Sequence, residues 1–379
     1  MYFCTSYRRK VYFLFQAYLS NGSQYPTIMN EQIQVSTPDN AVAKPTASGK
    51  RRLFYIDALR GLAMLLTVIG HLSVYCYKDL DYSIFVKFAG IFRMPLFMMI
   101  SGSLINFSSF SIRKRLKNLI PFFFFGILYA LLIHGSIIGF MTSLFKYGYW
   151  FLWALIIFNS FVFVILKTKS NLLVGFVMVE VFLLVLYVIS RNTTFEYLFS
   201  LKLLIPLWPF FFLGIMMKHG GFEWFAQRSK LTFTVSVLLV ISVLLADSLF
   251  DVSAWPYRLD DIMNRAMAFP ICVSLMLVFY YAEKICKGKT SPVKSCLKSI
   301  GTMVGTNTLQ IYVLHFFIFY FMDLSAFGQY MIKNNKVWLE LIVSPVLAIA
   351  ASYACVYASK LIYKMHLGIV FGRVMFTGK

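Results

Sequence analysis

Apolar runs of roughly 20 residues recur along this chain from about residue 56 to residue 363, and no other feature constrains its fold as tightly. A helix of that length spans a hydrocarbon core and satisfies its own backbone hydrogen bonds, which lipid cannot do for it. Ten such runs are legible, over 56–77, 83–106, 119–140, 149–167, 171–190, 199–217, 231–250, 262–282, 301–322 and 337–363. Of the 379 residues 59% are hydrophobic and only 13% charged, about half the charged share of an ordinary soluble domain. The expected fold is therefore all-α, a polytopic transmembrane bundle of about ten spans rather than two or three soluble domains.

A net charge of +21 would point to nucleic acid in a soluble protein, but the distribution of the charge argues otherwise. Of the 36 Lys and Arg, six lie in one alternating set of loops (Lys78, Lys146, Arg191, Arg258, Lys333, Lys336). Five lie within spans (Arg60, Lys87, Arg93, Lys202, Arg265), and the rest fall in the amino-terminal segment and the other set of loops. That is the asymmetry that orients membrane helices. It predicts an even number of spans, both termini in the cytoplasm, and no nucleic-acid partner. Residues 1–50 read as a cytoplasmic, disordered tail, 51–366 as the membrane domain and 367–379 as a second cytoplasmic tail. The run Val11–Leu19 after Arg8, Arg9 and Lys10 imitates a signal peptide, but it is short and carries Gln16. Met29–Lys50 is an ordinary polar lead-in, so Met29 is an alternative start. The six Cys have no metal-ligand spacing, so neither a disulfide framework nor a metal site is expected.

Ionisable side chains inside spans are costly and face an interior. The first run, YIDALRGLAMLLTVIGH, holds Asp57, Arg60 and His71. Eleven helical residues turn through about 1100°, so Arg60 and His71 share a face about 16 Å apart along the axis. Asp57, three residues before Arg60, is placed to pair with it. An arginine near the mouth can hold a phosphate, and a deep imidazole can take a proton from a hydroxyl; the alternative is a snorkelling arginine and a helix-bridging histidine. Their separation matches the reach of a phosphopantetheine arm.

The second run, FRMPLFMMISGSLIN, carries Arg93 before Pro95, and Ser101–Gly102 suited to close helix approach. The next loop gathers Arg113, Lys114, Arg115 and Lys117, either an anchor for anionic lipid or an electropositive mouth for an anionic donor. In the ninth run, Thr308 and His315 share a face, and Tyr312 and His315 are helical neighbours. Counted from the same end, His71 and His315 lie at similar depths of about 22 and 21 Å. Glu180 lies mid-span in the fifth run, placed to orient a histidine or hold an ion.

In order and content these residues resemble the membrane-bound acyltransferase 3 family, which includes polysaccharide O-acetyltransferases. The resemblance rests on R-x10-H (Arg60, His71), MPLF…SG (Met94–Phe97, Ser101–Gly102), R-x-R (Arg113, Arg115) and Y-x-x-H (Tyr312, His315), over about residues 51–366. The compact chain looks most like the fucose 4-O-acetylase-like branch. The resemblance implies an O-acetyltransferase with His71 catalytic, supported by Arg60 and Asp57. It implies that Arg113 and Arg115 help bind the donor; Arg93 is expected to join them there, and Tyr312, His315 and Glu180 are expected to line the acceptor pocket. It implies acetyl-CoA as co-substrate with no permanently bound cofactor, a lipid-linked or cell-surface glycan as acceptor, a bacterial inner membrane, and room for a homodimer. Met and Ser in MMISGSL stand where the family has bulkier aromatics, a departure that bears on the acceptor pocket. A transporter or flippase using Arg60, His71 and Glu180 as a substrate or proton path is the alternative; the absence of an internal repeat counts against it.

Overall fold

The computed structural model describes residues 54–77, 83–249, 257–285 and 303–372, with 295, 299 and 301. All of these lie in one compact unit, 52–379. The segments 1–50 and 373–379, expected as tails, lie outside the described residues. Ten helices match the ten expected runs: α1 (Phe54–His71), α2 (Ile84–Ser103), α3 (Leu119–Tyr129), α4 (Trp150–Lys167) and α5 (Leu172–Ser190). These are followed by α6 (Trp208–Met216), α7 (Ser229–Leu249), α8 (Tyr257–Ile285), α9 (Thr308–Tyr320) and α10 (Glu340–Lys364). No strand occurs among the described residues.

Eight helical stretches are long and apolar enough to cross a membrane. Short helical segments flanking α3 and α6 lengthen those two into the stretches Ile112–His134 and Leu201–Gln227. A ninth crossing counts α9 together with Ser325–Lys333, bent against it by 81°. In α7 only Ser229–Leu239 qualifies as a shorter apolar helix. Within the expected 301–322 run the helix α9 occupies Thr308–Tyr320, and the bend falls at the end of that run. Ser325 N–H binds the Asp323 carboxylate at 2.9 Å, an Asx turn that breaks the helix and redirects the chain.

Local sequence sets the helix ends. Ser83 caps α2 through Val86 N–H at 3.2 Å, and Asn171 caps α5 through Leu173 N–H at 2.9 Å. In lipid the helices cannot gain by hiding apolar surface from one another, so small residues decide which pairs approach closely. A Cβ on Gly102 would lie 1.9 Å from the Phe211 carbonyl oxygen, and one on Gly214 would lie 1.8 Å from that of Met99. That reciprocal fit locks α2 to α6, in the role the Ser101–Gly102 pair suggested.

A second such fit places the site. A Cβ on Gly305 would fall 1.8 Å from the Asp57 carbonyl oxygen. Farther along the pair, Leu324 N–H binds the Cys76 carbonyl at 3.0 Å. Contacts advance together along both chains, so α1 and α9 run parallel, a pairing that also sets the order of their polar side chains. At the far end of the sequence, Gly368–Phe371 forms a buried turn whose Phe371 ring stands 5.2 Å from that of Phe125.

Candidate active site

The polar side chains of α1 and α9 meet at two levels. At the first, Arg60 Nη2 donates to Thr308 Oγ1 at 2.9 Å, and Nη1 stands 3.9 Å from Asp57 Oδ1. Asp57 and Thr308 are both buried. Arg60 therefore joins the start of α9 to α1 with part of its donor fork, in a fixed orientation.

The second level is three turns farther along α1. His71 is the last α-helical residue before a π-helical turn, Leu72–Cys76. Such turns widen the helix locally and often mark functional positions. The His71 ring stands 5.3 Å from that of His315, with planes inclined at 26°, and 5.0 Å from that of Phe316. His315 is wholly buried, and its Nδ1 lies 2.9 Å from the Ile311 carbonyl oxygen. A carbonyl only accepts, so Nδ1 carries the proton and Nε2 presents a lone pair. That Nε2 is buried and has no hydrogen-bond partner among the described residues.

Arg93 is found here and not with the donor-end arginines. Its guanidinium occupies the space over Gly70, where a Cβ would lie 1.5 Å from Nη1. Nη1 is buried and hydrogen-bonds nothing among the described residues. The remaining ten residues of α2 carry the chain about 15 Å from this level to the end where Arg113 and Arg115 lie. There Arg113 is exposed, and Arg115 Nη2 donates to the Leu104 carbonyl at 3.3 Å.

Two residues expected in the acceptor pocket are engaged elsewhere. The Tyr312 hydroxyl donates to the Gly148 carbonyl at 2.5 Å and accepts from Phe151 N–H at 3.3 Å, tying α9 to the start of α4. Its ring remains 6.1 Å from that of His315. Glu180 lies on α5, which packs mainly on α4 and on the segment 194–204. One of its oxygens is buried without a hydrogen bond, and the charge acting on it is Arg265 of α8, not either histidine.

The sequence reading missed two groups. Glu340, wholly buried in the first turn of α10, has Oε1 2.5 Å from Ser73 Oγ, two residues past His71. An acidic residue opening an apolar run looks like ordinary helix-start chemistry, which conceals its burial. Lys146, outside the spans yet fully buried, donates from Nζ to the Ser143 carbonyl at 2.7 Å and to the Tyr197 carbonyl. Burial pulls its ammonium down to about 8. Lys146, Tyr147 and Gly148 all have positive φ (48°, 48° and 101°), and the two carbonyls hold this strained turn by its lysine. Among the described residues no group of three or more His, Cys, Asp or Glu could hold a metal ion.

Two orphaned polar groups thus lie beside His71, with Arg60 about 16 Å away along α1 and a basic segment after α2. The family profile of acyltransferase 3, an acyltransferase domain, matches residues 53–357. The chain belongs to the acyltransferase 3 family. No curated protein and no solved structure gives a significant match. As an acyltransferase 3 member it is a multi-pass membrane acyltransferase, transferring groups other than aminoacyl groups. The matched span runs from just before α1 into α10 and contains every site residue named above.

Proposed function

We propose that this acyltransferase moves an acetyl group from acetyl-CoA to a hydroxyl of a cell-surface or lipid-linked glycan. The observation that carries the proposal is the stacked His71–His315 pair, His315 wholly buried and His71 partly so, on the helix that also carries Arg60. Arg113 and Arg115 meet the anionic nucleotide end of the donor, and Arg60 takes a phosphate along the arm. The arm then spans the remaining ~16 Å to His71, placing the thioester there.

His71 accepts the proton of the acceptor hydroxyl, or is itself transiently acylated. His315 Nε2, its tautomer set by Ile311, receives a hydrogen bond from a neighbouring hydroxyl of the glycan and so aims the attacking one at the thioester. The excess of Lys and Arg in one set of loops supports cytoplasmic termini, with the donor entering from the cytoplasm, and the family resemblance supports a bacterial inner membrane.

The test uses purified protein in nanodiscs with acetyl-labelled acetyl-CoA and a panel of glycans, wild type beside His71→Ala. Label transfer by wild type that vanishes in the variant is the expected result. Well-folded wild type that releases no coenzyme A with any acceptor would overturn the proposal in favour of a transporter.

A further inference from the structure

The arginines assigned to the donor are not equivalent. Arg60 engages Thr308 and Asp57, and Arg115 engages the Leu104 carbonyl. Arg93 is the deepest of them, and its Nη1 is buried with no hydrogen bond among the described residues. A guanidinium keeps its charge in proteins, so it cannot relieve burial by losing a proton. A buried, charged donor without an acceptor costs several kcal/mol, and such a group persists where a ligand completes it.

Its position says which atom of a ligand. Gly70, the residue before His71, leaves the space that the guanidinium fills, and Arg93 acts electrostatically on His71. The other orphan beside His71, His315 Nε2, is an acceptor. A missing acceptor and a missing donor thus flank one imidazole. The carbonyl oxygen of an acyl group supplies the acceptor, and a hydroxyl of the glycan next to the attacking one supplies the donor.

Building on the acyl-transfer reading, we propose that Arg93 is a catalytic residue whose Nη1 donates to the thioester oxygen as it becomes an oxyanion. The attacking hydroxyl oxygen forms a bond to the carbonyl carbon while its proton passes to His71. The carbonyl π pair moves onto oxygen, where Arg93 holds it. The pair then returns, the C–S bond breaks, and the departing thiolate takes the proton back from His71, leaving ester and free thiol. Donors fixed where charge develops, in a site shielded from water, commonly supply a hundredfold to a thousandfold in rate.

The experiment separates binding from chemistry. Coenzyme A lacks the acyl carbonyl, so its affinity reports the donor grip alone. In Arg93→Gln, kcat for transfer is expected to fall about 10²–10³-fold while coenzyme A affinity stays within about threefold. Arg93→Lys keeps the charge at that depth, and with it the fold, but loses the planar fork; its kcat is expected to fall about tenfold or more. Should Arg93→Gln not fold, Arg93→Lys decides. A kcat within about threefold of wild type in either folded variant overturns the assignment, as does a loss residing wholly in coenzyme A affinity. Inactive wild type would instead defeat the acyl-transfer reading itself.

Discussion

The first and fifth crossings are built from similar material and used differently. Both are apolar stretches, of 23 and 19 residues, yet 67% of the first is buried inside the protein against 17% of the fifth. In the first, Asp57, Arg60 and His71 each find a protein neighbour on α9 or within α1. In the fifth, Glu180 sits on a largely exposed helix and is acted on by the charge of Arg265 from α8. A polar residue in an apolar run is thus a functional candidate in proportion to how far its helix is enclosed. The residue type alone does not show that enclosure.

The sharpest way to break this comparison is a pair of substitutions, one in each crossing. His71→Ala is expected to lower the transfer rate about 10³-fold or more with membrane insertion unchanged, while Glu180→Gln changes it by less than about threefold. Equal losses in a transfer assay would erase the distinction. Arg60→Ala should raise KM for the donor and lower kcat/KM about 10–100-fold. Thr308→Val, which removes one hydrogen bond to Arg60, should cost about fivefold to tenfold.

The same contrast extends to packing. Gly305→Ala places a Cβ against the Asp57 backbone, which cannot move aside, and is expected to cost on the order of 3 kcal/mol. Gly175→Ala on α5 meets the Ile165 side chain at 2.9 Å, which can rotate, and should cost less than about 1 kcal/mol. Thermal unfolding in one detergent ranks the two, and a reversed order would show that α1 and α9 are not held as described.

The smallest expected effect is at Lys146. Its value is depressed in the folded state, so the unfolded chain binds the extra proton between about pH 8 and about 10.5. Stability should therefore rise with pH across that window, and Lys146→Met should flatten the rise. A variant that unfolds with the wild-type pH dependence would remove this role.

Much of this was legible in the sequence, and the exceptions have physical causes. Run lengths located the ten helices because lipid leaves no alternative way to satisfy a backbone. Helical arithmetic put Arg60 and His71 on one face and His71 and His315 at one depth. It could not say that the two rings stand side by side, which depends on Gly305 letting α9 approach α1. The bend after α9 was read as the end of a span, although Asp323 and Ser325 write the turn into the chain. Tyr312 was expected at the acceptor because it lies one turn from His315, but its hydroxyl reaches beyond its own helix to Gly148. Arg93 was expected at the donor with Arg113 and Arg115, and sequence alone could not show that its guanidinium lies over Gly70.

The brevity of α9 has one more consequence. Thirteen residues rise only about 20 Å, against a hydrocarbon core of about 30 Å, before the chain turns aside by 81°. His315 lies five residues, about 8 Å, short of that turn, so the insulation above it is thin. An acyl donor held at that depth is exposed to leakage: stray water reaching the carbonyl would squander the thioester by hydrolysis. If the proposed transfer holds, the ring of Phe316, beside both histidines, is placed to keep that water out, and idle thioester hydrolysis measures how well it does so.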